Sequence, residues 1–205
     1  MSDVAVRIVV AEDEPIIRLD LAETLRSEGY EEVADTGRGD EAVSLVKTHA
    51  PDLVLLDIKM PGLDGISAAE TITKETRTAV VVLTAFSQRD LIERAVEAGA
   101  MTYLVKPYQR AELVAAIETA LARFREYSLL EDQVSDLAER LEVRKLIDRA
   151  KGRLIDDHNM SENDAFRFLQ QQAMSSRRSM AEVADDVLSG KNIDLSGGSM
   201  GSGSD

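Results

Sequence analysis

The sequence predicts an α/β fold: a five-stranded doubly wound parallel sheet, then a long helix or short coiled coil and an all-α three-helix bundle. Three observations carry this. Short, largely apolar runs recur at residues 6–10, 53–56, 79–83 and 102–105, and the unbroken run at 53–56 is the mark of a strand buried on both faces. Amphipathic helical patterns separate them, so a βα unit repeats five times and a helix-covered parallel sheet is the natural packing. After Pro107 no Gly or Pro occurs until Gly152, room for one long helix or two closely joined ones.

Composition narrows the class. The chain has 205 residues, 44% of them hydrophobic, enough for a packed core and compatible with two domains. No apolar run approaches a membrane span, and the acidic start Met1-Ser2-Asp3 does not read as a signal peptide. Cysteine is absent, which removes disulfides and thiolate metal sites and suits a cytoplasmic protein. A net charge of -14 argues against broad nucleic-acid binding, so any such role needs a confined basic patch.

In chain order, Val6 to Val10 form the first strand. Pro15 opens a helix whose apolar set is Ile16, Ile17, Leu19, Leu21, Ala22 and Leu25, and Gly29 stops it. A weaker strand lies near Val33-Ala34, then a helix from Asp40 to His49. Strand three ends in Asp57, and the Pro- and Gly-bearing loop after it leads to a helix from Ile66 to Lys74. Strand four is Ala79 to Leu83, followed by a helix from Gln88 to Ala98 closed by Gly99. Strand five is Thr102 to Val105.

Right-handed crossovers bring every strand end to one edge, where α/β folds bind ligands. Strand one delivers Glu12 and Asp13, strand three Asp57, strand four Thr84 and strand five Lys106. Three carboxylates converging on one edge repel each other unless a cation lies among them, and hard oxygen ligands suit Mg²⁺. Lys106 and Thr84 add a positive charge and a hydroxyl donor. Such a set can hold a phosphoryl group on Asp57. Taken singly, each residue is better read as a turn, a cap or a surface charge; the coincidence of five such residues at four strand ends of one βα repeat argues against that reading.

On these motifs, Glu12-Asp13, Asp57 with Met60-Pro61 and Asp64-Gly65, Thr84-Ala85, Tyr103 and Lys106-Pro107, residues 6 to about 124 resemble a response-regulator receiver domain of two-component signalling. The resemblance implies a flavodoxin-like fold and phosphoryl transfer from a sensor histidine kinase to Asp57. It implies Mg²⁺, with Mn²⁺ an allowed substitute, on Asp13, Asp57 and the backbone carbonyl of Lys59, with Glu12 acting mainly through water. Thr84 and Tyr103 would form a switch pair, Lys106-Pro107 would be cis, and Lys59 and Phe86 would tune the phosphate lifetime.

Beyond the receiver, Tyr127, Leu130, Val134, Leu137 and Leu141 are spaced three, four, three and four. This is an a/d stripe of about two heptads, which either packs within its own chain or serves as a dimer contact. From Arg140 to Arg153 six Lys or Arg meet two acids, a local excess of positive charge whose bland reading is a solvated face with pairs such as Arg144 and Asp148. Ser161 with Asp164 and Ser179 with Glu182 read as capping boxes opening two helices, the second ended by Gly190. Three helices then make a small bundle.

Arg149-Ala150-Lys151-Gly152 with Leu154, Met160-Ser161, Ala165-Phe166, Ala173-Met174 with Arg177-Arg178, and Met180-Ala181-Glu182-Val183-Ala184 give residues 130–189 a resemblance to the ANTAR domain of antitermination regulators. That implies binding of hairpin-containing RNA. Arg149, Lys151, Arg177 and Arg178 are the candidate contacts, with Arg153 and Arg167 secondary, and Ala150 and Gly152 would let helix and loop approach closely. His49 and His158 lack a ligand constellation and read as surface residues.

The organisation expected is therefore a receiver over 1–124, a helical linker over 125–143, an RNA-binding bundle over 144–190 and a flexible Gly/Ser-rich tail over 191–205. The function expected is a phosphorylation-dependent regulator acting in transcription antitermination, able to homodimerise on phosphorylation, with no membrane partner. Apart from self-phosphorylation at Asp57 and its hydrolysis, no enzyme activity is expected. Two alternatives remain: a DNA-binding transcription factor, disfavoured because no helix joins a tight-turn Gly to several base-reading side chains, and a protein-interaction regulator that binds no nucleic acid.

Overall fold

A computed structural model describes residues 5–85 and 89–191; Phe86 and the Gly/Ser-rich tail lie outside them. Five strands, β1 (Arg7–Ala11), β2 (Glu31–Thr36), β3 (Leu53–Asp57), β4 (Ala79–Thr84) and β5 (Thr102–Val105), form one sheet in the order β2-β1-β3-β4-β5. All pairs are parallel. The helices are α1 (Pro15–Ser27), α2 (Gly39–His49), α3 (Gly65–Glu75), α4 (Arg89–Glu97), α5 (Arg110–His158), α6 (Glu162–Ser176) and α7 (Met180–Ser189).

Alternation along each strand sends side chains to two cores. Ile8, Val10, Leu53, Leu55, Val81 and Leu83 meet Leu21 and Leu25 of α1 and Leu113, Ile117 and Leu121 of α5. Val9, Val54, Leu56, Val80 and Val82 meet Val46, Ile72 and Ala95 of α2, α3 and α4. Strands covered on both faces have no solvated side, which is why β3 and β4 read as unbroken apolar runs. Ile16 and Leu19 depart from the expected packing of α1: they are 84% and 71% exposed. Ile17, Leu21 and Leu25 repeat every four residues along one face, and that face is full without them.

α5 is a single helix rather than two, and it passes through Gly152 to Asn159, which has positive φ. The boundary between two compact units falls within it, at Leu129 and Leu130. The a/d stripe of α5 spans that boundary and stays largely uncovered. Tyr127, Leu130, Val134, Leu137 and Leu141 are each between 53% and 67% exposed.

In the second unit Ala150 and Leu154 of α5, Ala165, Leu169 and Ala173 of α6, and Val183, Ala184 and Val187 of α7 form a closed apolar core. Ser179 and Glu182 form the complete capping box of α7. Ser161 caps α6 by accepting from Asp164 N–H, but the Asp164 carboxylate takes the Ser161 hydroxyl, so that box is not closed as expected. An aspartate is one methylene shorter than the Glu that normally reaches back. Gly152 is also corrected: a Cβ placed there meets nothing within 4 Å, so no close approach depends on it, whereas Ala150 is fully buried.

Candidate phosphoacceptor site and nucleic-acid interface

Register places the first site. Ala11 pairs with Leu56, Asp57 with Leu83 and Thr84 with Val105, so Glu12, Asp57, Thr84 and Lys106 leave the sheet at one level. Lys106 N–H donates to the Thr84 carbonyl (2.7 Å) and Glu12 N–H to that of Thr36 (2.9 Å), which fixes both backbones. The Lys106-Pro107 peptide is cis.

The side chains converge as the topology requires. Carboxylate oxygens of Glu12, Asp13 and Asp57 lie within 4.8 Å of one another. Lys106 Nζ stands 2.5 Å from Glu12 Oε2 and 3.1 Å from Asp57 Oδ1. Glu12, Asp57 and Thr84 are buried, Asp13 is exposed, and Tyr103 is 41% exposed on the strand next to buried Thr84. Asp13, Asp57, Lys59, Thr84 and Lys106 line one cavity of about 180 Å³.

Electrostatics follow from that burial. Desolvation pushes the Asp57 and Glu12 carboxyls above the usual range, against the pull of Lys106. Burial works to lower the Lys106 ammonium, but Glu12 and Asp57 outweigh it and hold it raised. An exposed acid and a buried acid facing one small cavity, beside a Glu12 whose oxygens accept from Lys106 and from the Glu14 N–H, offer a hard-oxygen donor set that fits a Mg²⁺-type cation.

Two glycines hold the loop that carries Lys59. A Cβ on Gly65 would lie 2.0 Å from the Asp57 carbonyl oxygen, and one on Gly39 would lie 2.0 Å from the Leu63 carbonyl oxygen. Gly65 N–H donates to Ile58 (2.9 Å) and Gly39 N–H to Pro61 (3.3 Å). Asp64 caps α3 by accepting from the N–H groups of Ile66 and Ser67. Spacing alone marks these as a turn; only the packed loop shows why no side chain fits.

The family models match along both units. The response regulator receiver domain matches residues 8–118 and the ANTAR domain residues 135–188. The chain belongs to the response regulator receiver family. It is a response regulator with a C-terminal ANTAR domain, an RNA-binding antitermination module. It is 56% identical over 182 residues to the transcriptional regulatory protein PdtaR of Mycobacterium tuberculosis, covering 89% of each chain. Its receiver superposes on the BeF3-activated receiver domain of Klebsiella pneumoniae RstA with a TM-score of 0.53 and 31% identity, covering 56% of this chain and 97% of that one. A CheX-CheY-BeF3-Mg²⁺ complex from Borrelia burgdorferi gives 0.52 and 28%, covering 55% and 86%. No helix among the described residues is long and apolar enough to cross a membrane.

In the ANTAR unit the structure divides the four candidate RNA contacts. Lys151 Nζ sits between Asp148 (2.8 Å) and Glu162 (3.1 Å) with its side chain only 16% exposed. Arg178 pairs with Asp186 (2.5 Å) and reaches the Glu182 carbonyl. Lys151 ties α5 to α6, and Arg178 ties the turn after α6 to α7. Arg149 and Arg177 are exposed, and Arg177 is the αL cap residue that ends α6. Asp148 takes Lys151 rather than the expected Arg144. Arg153 pairs with Asp157 and donates to the Leu188 carbonyl. His158 is exposed and His49 half-buried.

Proposed function

We propose that this response regulator is a phosphorylation-controlled RNA-binding protein whose phosphoacceptor is Asp57. The carrying observation is the buried Asp57 carboxylate with Lys106 Nζ 3.1 Å away and the carboxylates of Glu12 and Asp13 within 4.8 Å. A sensor histidine kinase supplies the phosphoryl group. An Asp57 oxygen attacks phosphorus, the P–N bond to the kinase imidazole breaks as the new P–O bond forms, and the imidazole departs with its electron pair. Lys106 neutralises charge on the transferred oxygens, and the Thr84 hydroxyl donates to them. Asp13, Asp57 and the Lys59 carbonyl would hold Mg²⁺, or Mn²⁺ in its place, with Glu12 assisting through water. The bound cation supplies charge neutralisation at the phosphoryl oxygens.

Phosphorylation biases a two-state element made of Thr84 and the outward Tyr103. The bias changes how the output domain engages hairpin RNA, with a homodimer through the exposed stripe of α5 as one route. Hydrolysis at Asp57 resets it.

The test is a titration of a two-hairpin RNA at moderate salt, with Mg²⁺ alone and with Mg²⁺ plus a small-molecule phosphodonor, beside Asp57→Ala. Tighter binding with phosphodonor only when Asp57 is present supports the coupling. Equal binding in all samples removes the coupling and leaves the RNA module. No binding to any hairpin moves the function to protein interaction.

A further inference from the structure

The basic cluster at 140–153 is largely neutralised within its own fold. Arg140 pairs with Asp136, Lys145 with Glu142, Lys151 with Asp148 and Glu162, and Arg153 with Asp157. A different surface of the same unit has the opposite character. From Ala165 to Ala181 there is no acid and there are three Arg, in a chain with 38 acids among 205 residues. Most of this stretch is α6, whose inner face (Ala165, Leu169, Ala173) is buried in the bundle core.

Its outer face is unusual for a solvated helix. Phe166, Gln170 and Met174 recur every fourth residue and so share one side, with Arg167 and Gln171 beside them. Phe166 is 44% and Met174 75% exposed, although both are large and apolar. Gln170, Gln171 and Arg167 are exposed, as is Arg177 at the helix end. Among the described residues Arg167 and Arg177 make no ion pair. The face therefore offers a ring, a thioether, two uncharged amides and two unengaged guanidinium groups. Phosphates require the last; stacked bases require the ring; base edges require amides that donate and accept. An obligate protein interface is more apolar than this face, where Gln170 separates the two apolar side chains.

Resting on the RNA-binding reading, we propose that the outer face of α6 from Phe166 to Arg177 is where unpaired loop bases of the RNA are held. Phe166 stacks on a base, Met174 packs beside it, Gln170 and Gln171 meet base edges, and Arg167 and Arg177 contact the flanking phosphates. Lys151 and Arg178 act on RNA only by keeping the bundle folded.

The experiment is fluorescence anisotropy on the full chain, using a labelled pool of stem–loop RNAs with randomised loops and a labelled RNA duplex without loops. Wild type is compared with Phe166→Leu, Phe166→Tyr and Arg167→Gln, after circular dichroism shows equal helix content and melting. Phe166→Leu should weaken stem–loop binding by roughly tenfold and leave duplex binding unchanged, while Phe166→Tyr, which keeps the ring, holds wild-type affinity. Arg167→Gln should weaken both RNAs and lower the salt slope by about one. Wild-type affinity for stem–loops in Phe166→Leu overturns the assignment while the RNA-binding reading stands. Equal loss of stem–loop binding in Phe166→Leu and Phe166→Tyr also overturns it, since stacking is then not the contact. If wild type binds neither RNA, the assignment and the RNA-binding reading fall together.

Discussion

Lys106 Nζ lies 2.5 Å from Glu12 Oε2, and this is the closer of its two carboxylate contacts. Glu12 is fully buried and Lys106 nearly so. Removing one member of a buried pair strands the other charge. Lys106→Met should therefore lower stability by about 3 kcal/mol in urea at neutral pH, and Lys106→Met with Glu12→Gln should recover much of it. Burial raises the Glu12 carboxyl, and loss of the lysine raises it further. A folded-state value above the unfolded one means protonation favours the fold. The single variant should thus regain stability as pH falls toward the ordinary glutamate value of 4.5 and lose it as pH rises.

Asp57 must be ionised to attack phosphorus. Desolvation holds its carboxyl above the ordinary value of 3.8, with Lys106 opposing. In Mg²⁺-free protein the Asp57 carboxyl should titrate in NMR with an acid limb above 3.8, and that limb should move further up in Lys106→Met. A limb unchanged by that substitution would separate Lys106 from the ionisation of Asp57.

The three carboxylates should make the receiver responsive to divalent cations. At a Mg²⁺ concentration a hundredfold above its Kd, binding to the folded state alone adds about 2.7 kcal/mol. Wild type should melt higher with Mg²⁺ in differential scanning calorimetry, and Asp13→Ala should show no increment. Gly65→Ala should lower Mg²⁺ affinity as well, because its Cβ collides with the Asp57 carbonyl and displaces the loop carrying Lys59.

Asp64 caps α3. Burial works to raise its carboxyl, yet the Ser67 hydroxyl and the N–H groups of Ser67 and Ile66 hold it below 3.8. The cap's contribution is present above 3.8 and is lost as pH falls through the depressed value. Asp64→Ala should cost about 1 kcal/mol at pH 7, and its melting temperature should converge with wild type in strong acid.

Much of the receiver was legible because its signals are local. Uninterrupted apolar strands imply a two-sided sheet, and a parallel sheet sends all carboxyl ends to one edge, so Glu12, Asp57, Thr84 and Lys106 had to meet. What failed depended on neighbours the sequence does not name. Ile16 and Leu19 match an apolar pattern, but which helix face is covered depends on the sheet beneath it. Arg178 looks like a free cation because its partner Asp186 lies eight residues away, outside the usual helical pairing distance, and Lys151 looks free because Asp148 has Arg144 at an equally suitable helical spacing. The exposure of Phe166 was equally hidden, since an aromatic residue beside Ala165 reads as core.

Gly152 stands inside α5 with open space where a side chain would be, at a cost of about 1 kcal/mol relative to alanine in a helix interior. Gly39 and Gly65, by contrast, tolerate no added atom. A library of single substitutions selected for heat tolerance should sort these positions cleanly. Variants at Gly39 and Gly65 would vanish from the survivors, while Gly152→Ala would be among the first enriched.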